Sequence, residues 1–179
     1  AGRGPLAGPV YAAAVILPPD AHIEGVNDSK KLSEKKRETL FDIIRQTAVS
    51  SCIASASVEE IDTHNILNAT YLAMQRAVAG LSPQPQMVLV DGNRLPSLPM
   101  EAQAIVKGGS LSLSIVAASI LAKVSRDRYM KELARQYPQY QLEKHKGYGT
   151  KLHRELIRQY GPSPIHRKTF LKKILGESL

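Results

Sequence analysis

Four short strand-like runs alternate along this chain with longer stretches of helical periodicity, and that order points to an α/β architecture. Residues 10–17 (Val-Tyr-Ala-Ala-Ala-Val-Ile-Leu) form the first run, which Pro18-Pro19 stops, and they read as a buried strand. Ser33 opens a helix with Glu34 in its first turn and Leu40, Ile43 and Ile44 as its apolar stripe. Residues 49–58 are small, alternating and β-branched, which predicts a second strand. Ser57 and Glu60 have the spacing of a capping box, and the helical region they open runs through Leu72, Ala73, Ala77 and Leu81 until residues 80–83 close it. Residues 87–90 and 104–106 are two more strands, stopped by Asp91-Gly92 and by Lys107-Gly108-Gly109. A long helix follows over residues 114–137, with Ile115, Ala118, Leu121, Ala122 and Val124 on its buried side and Pro138 at its end. After a polar loop, Thr150 caps a helix to Tyr160, and a last short helix carries Phe170, Leu171, Ile174 and Leu175. The expected fold is an α/β domain with a mixed sheet, and 179 residues suit one compact domain.

With no Trp and only two Phe, the interior must be filled by Ala, Val, Ile and Leu. The single cysteine, Cys52, excludes an internal disulfide, which fits a reducing, cytoplasmic compartment. No apolar run approaches a membrane span and no signal-peptide pattern opens the chain, so a soluble protein without membrane contact is expected. The net charge of +8 favours an acidic partner, nucleic acid first. Its distribution is uneven: residues 141–179 carry nine Lys or Arg against three Glu, so most of the excess lies in the last fifth of the chain. A merely solvated basic surface would give the same totals. Ala1 is not an initiator methionine, and the glycine-rich start reads as the continuation of something upstream.

Asp91 is the most informative acid, because it ends a strand and precedes Gly92-Asn93. The carboxyl ends of strands are where open α/β sheets bind ligands, and a carboxylate there suits a hard cation such as magnesium. An Asp-Gly pair is also a common turn, and local sequence favours that plainer reading. Gly2-Arg3-Gly4 could bring backbone close to a sugar or phosphate, or be an ordinary loop. Residues 27–32 (Asn-Asp-Ser-Lys-Lys-Leu) set two lysines before a helix, as a phosphate contact or a hydrated loop. Tyr148 stands between two glycines beside Lys144 and Lys146, placed either to stack on a sugar or base or to pack under its loop. His145 and His153 are eight apart across a loop–helix boundary, which argues against zinc. No Walker loop is present, and Ser119 has no adjacent base.

Taken in order, these segments resemble bacterial ribonuclease HII, of the type 2 ribonucleases H. The resemblance is carried by Gly2-Arg3-Gly4-Pro5-Leu6-Ala7-Gly8-Pro9-Val10, residues 27–32, Asn65-Ile66-Leu67, Val90-Asp91-Gly92-Asn93, Val106-Lys107-Gly108, residues 117–124 and residues 145–150. Gly161-Pro162-Ser163-Pro164-Ile165-His166-Arg167 extends it towards the C-terminus. It implies a ribonuclease H-like fold, with a five-stranded mixed sheet flanked by helices and a C-terminal helical extension. On that basis residues 1–179 are one domain, with an α/β catalytic core over 1–140 and a basic helical region over 141–179.

The resemblance also implies hydrolysis of the phosphodiester 5′ of ribonucleotides, in RNA–DNA hybrids and in duplex DNA with embedded ribonucleotides. Four acidic residues would hold two Mg2+ or Mn2+ ions for that cut. Asp91 matches the third of them; Gly109 stands where the fourth, an aspartate, is expected. The Asp-Glu pair that supplies the first two would precede Ala1, at the end of a strand between residues 10–17 and 87–90. With one carboxylate remaining, the chain as it stands is expected not to cleave, and a non-catalytic RNA–DNA junction-binding protein is the alternative. The expected nucleic-acid contacts are Gly2, Arg3 and Gly4 at the 2′-hydroxyl, Asn27 and Lys30 at a phosphate-facing loop, Lys146, and Tyr148 on a deoxyribose. A monomer is expected.

Overall fold

The computed structural model describes residues 1–26, 31–110 and 112–175. Strands β1 (Val10–Ile16) and β2 (Ser50–Ala56) pair antiparallel, from Val10 opposite Ala56 to Ile16 opposite Ser50. Strands β3 (Met87–Asp91) and β4 (Glu101–Ile105) pair in parallel. The helices are α1 (Glu34–Thr47), α2 (Val58–His64), α3 (Ile66–Ala79), α4 (Leu113–Gln136), α5 (Leu142–His145), α6 (Lys151–Tyr160) and α7 (Lys168–Leu175). Among the described residues, no helix is long and apolar enough to cross a membrane.

The period-two alternation of β1 decides how the layers form. Val10 and Ala12 face one way, into a core with Ala56, Ile61 of α2 and Ala69 and Ala73 of α3. Ala13 and Val15 face the other way, against Leu40, Phe41 and Ile44 of α1 and Ala117, Ile120, Leu121 and Val124 of α4. Small side chains on β1 and α3 let helix and strand backbones approach closely, so alanines fill the role that aromatic residues would otherwise take. Complete burial of Leu40 and Ile44 stabilises the fold by about 1.5–3 kcal/mol each.

Local signals set the helix ends. Ser57 and Glu60 form the expected capping box, and Glu60 also holds Arg76 of α3 through two bonds of 2.9 and 2.6 Å. Asn65, at φ 72°, breaks the single helical region expected from sequence into α2 and α3, and its side chain accepts from the Asn68 N–H at 2.9 Å. β4 begins earlier than the apolar run at residues 104–106 suggested, because the exposed Glu101 and Gln103 alternate with Ala102 and Ala104. The polar loop expected before Thr150 contains the short helix α5, anchored by fully buried Leu142.

The sheet departs from the expected single layer. The four strands form two pairs, and β1 and β3 are not hydrogen-bonded to each other. These are the two strands between which the resemblance sets the strand ending in Asp-Glu. On that edge of β1, Ala1 exchanges both backbone bonds with Tyr11, at 2.8 and 2.9 Å, the reciprocal pairing of an antiparallel ladder.

A third core joins the two ends of the chain. Leu6 and Ala7 pack with Met130 and Leu133 of α4 and with Tyr140, Leu142, Leu156, Ile157, Ile165 and Leu171. The basic C-terminal region is therefore built onto the N-terminal loop.

Candidate active site and nucleic-acid interface

Asp91 ends β3 with its side chain exposed, and its Oδ1 accepts the Gly108 N–H at 3.0 Å. That bond ties the carboxylate to the turn after β4, so the feature is more than a self-bonded Asp-Gly turn. Asp91 lines a shallow hollow of about 250 Å³ with Arg3, Thr70, Tyr71, Asn93 and Arg94. The two neighbouring glycines differ sharply. A Cβ on Gly108 would stand 2.6 Å from Ile115 Cδ1 and 3.3 Å from Asp91 Oδ1, whereas one on Gly109 meets nothing within 4 Å. Position 109 has room for the aspartate that the resemblance expects there.

Among the described residues, no three His, Cys, Asp or Glu side chains converge as a metal site. The residues present therefore do not fit a pair of divalent ions.

Arg3 and Gly4 are exposed on the loop that leads into β1, over a buried Gly2. Two fully buried arginines hold this loop from beneath. Arg126 of α4 donates to the carbonyls of Pro9 (3.0 Å), Ala7 (2.9 Å) and Lys146 (2.9 Å). Arg167 donates to those of Gly8 (2.9 Å), Arg3 (3.0 Å), Pro5 (2.9 Å), Gly2 (2.6 Å) and Pro9 (3.3 Å). Burial, and then the like charge of Arg126, push the Arg167 guanidinium down to about 9. Gly2 has φ +89°, and a Cβ there would lie 2.1 Å from Arg126 Nε, so contact and backbone both require glycine.

Tyr148 is brought to the same surface. The residue is 40% exposed, and an ideal Cβ on Gly4 would sit 3.9 Å from its Cε1. Lys123 Nζ and Arg126 Cζ each lie 5.8 Å from the ring centroid. Tyr148 thus flanks the glycine loop and is partly exposed rather than buried beneath it. Lys146 is half-buried and turns its ammonium to the Glu143 carbonyl at 2.6 Å. Asn27 and Lys30 lie outside the described residues.

Three histidines meet behind Tyr148, which their spacing alone did not announce. The His145 and His153 rings stack at 4.2 Å, and His153 Nε2 lies 3.0 Å from His166 Nε2. Backbone donors fix the tautomers. Ser163 N–H donates to His166 Nδ1 at 3.0 Å, so the His166 proton sits on Nε2 and donates to His153. His153 then carries its proton on Nδ1, bonded to the Tyr148 carbonyl at 2.9 Å. Gly147 N–H similarly donates to His145 Nδ1 at 3.1 Å, leaving His145 Nε2–H for the Tyr140 carbonyl at 2.7 Å. Burial pushes all three imidazoles down, His153 to about 4 and His166 to about 3.

The sequence reading missed Arg126, Arg167 and the joining of the histidines. One signal was available: Arg126 falls four residues after Ala122, on the apolar stripe of α4.

Fold and site together define a class, the α/β proteins of ribonuclease H-like fold. The chain belongs to the ribonuclease HII family: the family described as "Ribonuclease HII" matches residues 1–173. It is 61% identical over 170 residues to "Ribonuclease HII 1" of Methylibium petroleiphilum, covering 95% of this chain and 86% of that one. A second relative, "Ribonuclease HII" of Shewanella halifaxensis, is 61% identical over 169 residues, covering 94% of this chain and 83% of the relative. Among solved structures, ribonuclease H2 of Pyrococcus horikoshii superposes with a TM-score of 0.77 at 29% identity, over 94% of this chain and 90% of that one. The family is one of hydrolytic endonucleases.

Proposed function

We propose that this protein is by function an endoribonuclease that hydrolyses the phosphodiester 5′ of ribonucleotides in RNA–DNA hybrids and in duplex DNA with embedded ribonucleotides, as a monomer in the cytoplasm. The alternative is a junction-binding protein that does not cut. The convergence of the Gly2–Gly4 loop, Tyr148 and Asp91 carries this reading: Tyr148 flanks Gly4, and Arg3 lines the hollow of Asp91. Residues 1–140 supply the core with Asp91, and residues 141–179 supply the basic surface with Lys146 and Tyr148. In this reading the backbone of Gly2, Arg3 and Gly4 meets the 2′-hydroxyl, Asn27 and Lys30 face a phosphate, and Tyr148 stacks on the following deoxyribose. Cleavage in the family is read as phosphodiester hydrolysis supported by two Mg2+ or Mn2+ ions, for which this chain offers Asp91. Gly109 offers no carboxylate where the family aspartate is expected, so a chain with glycine there should bind hybrids and embedded ribonucleotides but cut them poorly.

The test uses competition binding of two duplexes without divalent ions, one with a single ribonucleotide and one all DNA. Tyr148→Ala should reduce the preference for the first by about tenfold, within the ~1–3 kcal/mol that such stacking contributes. The substitution leaves the Tyr148 carbonyl, and hence His153, in place. Equal weakening of both duplexes would make Tyr148 a loop residue with no part in discrimination.

Charge should act separately from that contact. Affinity should fall steeply with salt through counterion release. Lys146→Glu with Lys151→Glu should lower the slope of log affinity against log salt by about 1 per lost phosphate contact. Lys151 is well exposed and paired only loosely with Glu155, at 3.9 Å. An unchanged slope would place the nucleic acid on another face.

A further inference from the structure

We propose that Arg167 is the positioning residue of the ribonucleotide-reading loop, turning the Arg3 and Gly4 N–H groups outward as a paired donor site for the sugar hydroxyl. This rests on the reading of Gly2, Arg3 and Gly4 given above. It adds how a glycine loop, which has little conformational preference of its own, comes to hold one shape.

The argument is geometric. Arg167 takes the carbonyl of Gly2 at 2.6 Å and that of Arg3 at 3.0 Å, both from a side chain with no exposed surface. The peptide bonds that follow Gly2 and Arg3 are trans, the cis bond of the described residues being Ser82-Pro83. In a trans peptide the carbonyl of one residue and the N–H of the next point in opposite directions. With the Gly2 and Arg3 carbonyls aimed at the buried guanidinium, the N–H groups of Arg3 and Gly4 are aimed away from it. Two successive outward N–H groups form a concavity that suits an oxygen acceptor. Neither residue is a proline, and the exposed positions of Arg3 and Gly4 put both donors on the surface that Tyr148 flanks.

Arginine suits this position for a chemical reason. Its planar fork reaches five carbonyls of the loop and its surroundings at once, from Gly2 to Pro9. Lysine has three donors on one atom and cannot span them. Among the described residues Arg167 makes no ion pair with a carboxylate, so its bonding capacity is given to backbone oxygens. Arg126 beneath it takes Ala7, Pro9 and Lys146, which fixes the base of the loop and the start of the Tyr148 segment. It does not touch the Gly2 or Arg3 carbonyl, so the aiming falls to Arg167.

The experiment compares the unaltered chain with Arg167→Lys, without divalent ions, by competition binding of the same two duplexes and by amide NMR. In the unaltered chain the ribonucleotide duplex should move the Arg3 and Gly4 amide resonances, and the all-DNA duplex should move them far less. Arg167→Lys should cut the preference for the ribonucleotide by about tenfold, as expected for lost hydrogen bonds to an oxygen acceptor. All-DNA affinity should stay within about twofold, a split that general loosening of the fold would not produce. Undiminished preference in Arg167→Lys would overturn the proposal. So would a clear preference in the unaltered chain with silent Arg3 and Gly4 amides, a result that decides the matter even if Arg167→Lys fails to fold. Absence of any preference in the unaltered chain would instead remove the junction reading itself, before any substitution is made.

Discussion

Gly109→Asp, in a chain that also carries Asp-Glu ahead of Ala1, should nick a duplex beside a single ribonucleotide about a thousandfold or more faster than the chain from Ala1 to Leu179 does. The substitution has room, because a Cβ at position 109 meets nothing within 4 Å. It adds a carboxylate next to Gly108, whose N–H already holds Asp91 Oδ1 at 3.0 Å. A metal-assisted displacement gains several kcal/mol of transition-state stabilisation, and each 1.36 kcal/mol is tenfold in rate. Gly109→Asn in the same background controls for shape, since it fills the same space without a charge and should stay near the baseline. The measurement is single-turnover nicking of an end-labelled duplex in magnesium and in manganese. Robust cutting by the chain from Ala1 to Leu179 would sink the account.

The second large effect is on stability in mild acid. His153 and His166 are fully buried and held neutral, with folded values of about 4 and about 3 against an ordinary 6.5. Below pH 6.5 the unfolded chain takes up protons that the folded chain refuses, so stability falls as pH falls. The contribution is complete above about 6.5 and is lost progressively down to the two folded values. Geometry gives the cause: a proton added to the pair sets N–H against N–H across the 3.0 Å between the Nε2 atoms, with backbone donors already aimed at His166 Nδ1 and His145 Nδ1. At about 1.4 kcal/mol per unit, the loss by pH 5 should be on the order of 2–4 kcal/mol, a large part of the ~5–15 kcal/mol that holds a domain. Urea midpoints at pH 7.5, 6 and 5 would show it. His153→Asn keeps a donor near the Nδ1 place and removes one titrating ring, so its midpoint should depend less on pH. A midpoint constant from 7.5 to 5 in the unaltered chain would contradict the neutral relay.

What could be read from sequence followed the range of the interaction. Ser33, Ser57, Ser112 and Thr150 each bond an amide three residues on, and three of these caps were legible because donor and acceptor are neighbours. β4 was misplaced because its alternation of Glu101 and Gln103 with alanines looks like neither an apolar run nor a helix. The exposed members of the candidate site, Arg3, Asp91 and Tyr148, stand out in the sequence as residue types in unusual settings. Their supports do not. Arg167 meets carbonyls 158 to 165 positions earlier, and His153 meets His166 through a turn whose path depends on Ser163 and Ile165. No periodicity encodes such pairings. Composition could suggest only that a basic chain binds acids, whereas two of its cations are spent on backbone oxygens in the interior.

The tie between residue 167 and residues 2–9 also orders events while the chain is being made. A ribosome adds about 5–20 residues per second, so roughly ten to thirty seconds separate synthesis of the glycine loop from synthesis of the arginine that shapes it. β1, β2 and α1 to α3 have emerged by then, with a core of their own between β1 and α3. The glycine loop takes its bonded shape after that core can form. A chain cut short before residue 167 thus carries Gly2, Arg3 and Gly4 without the guanidinium that fixes their carbonyls, and under the proposed reading it should discriminate less between a ribonucleotide and the DNA around it.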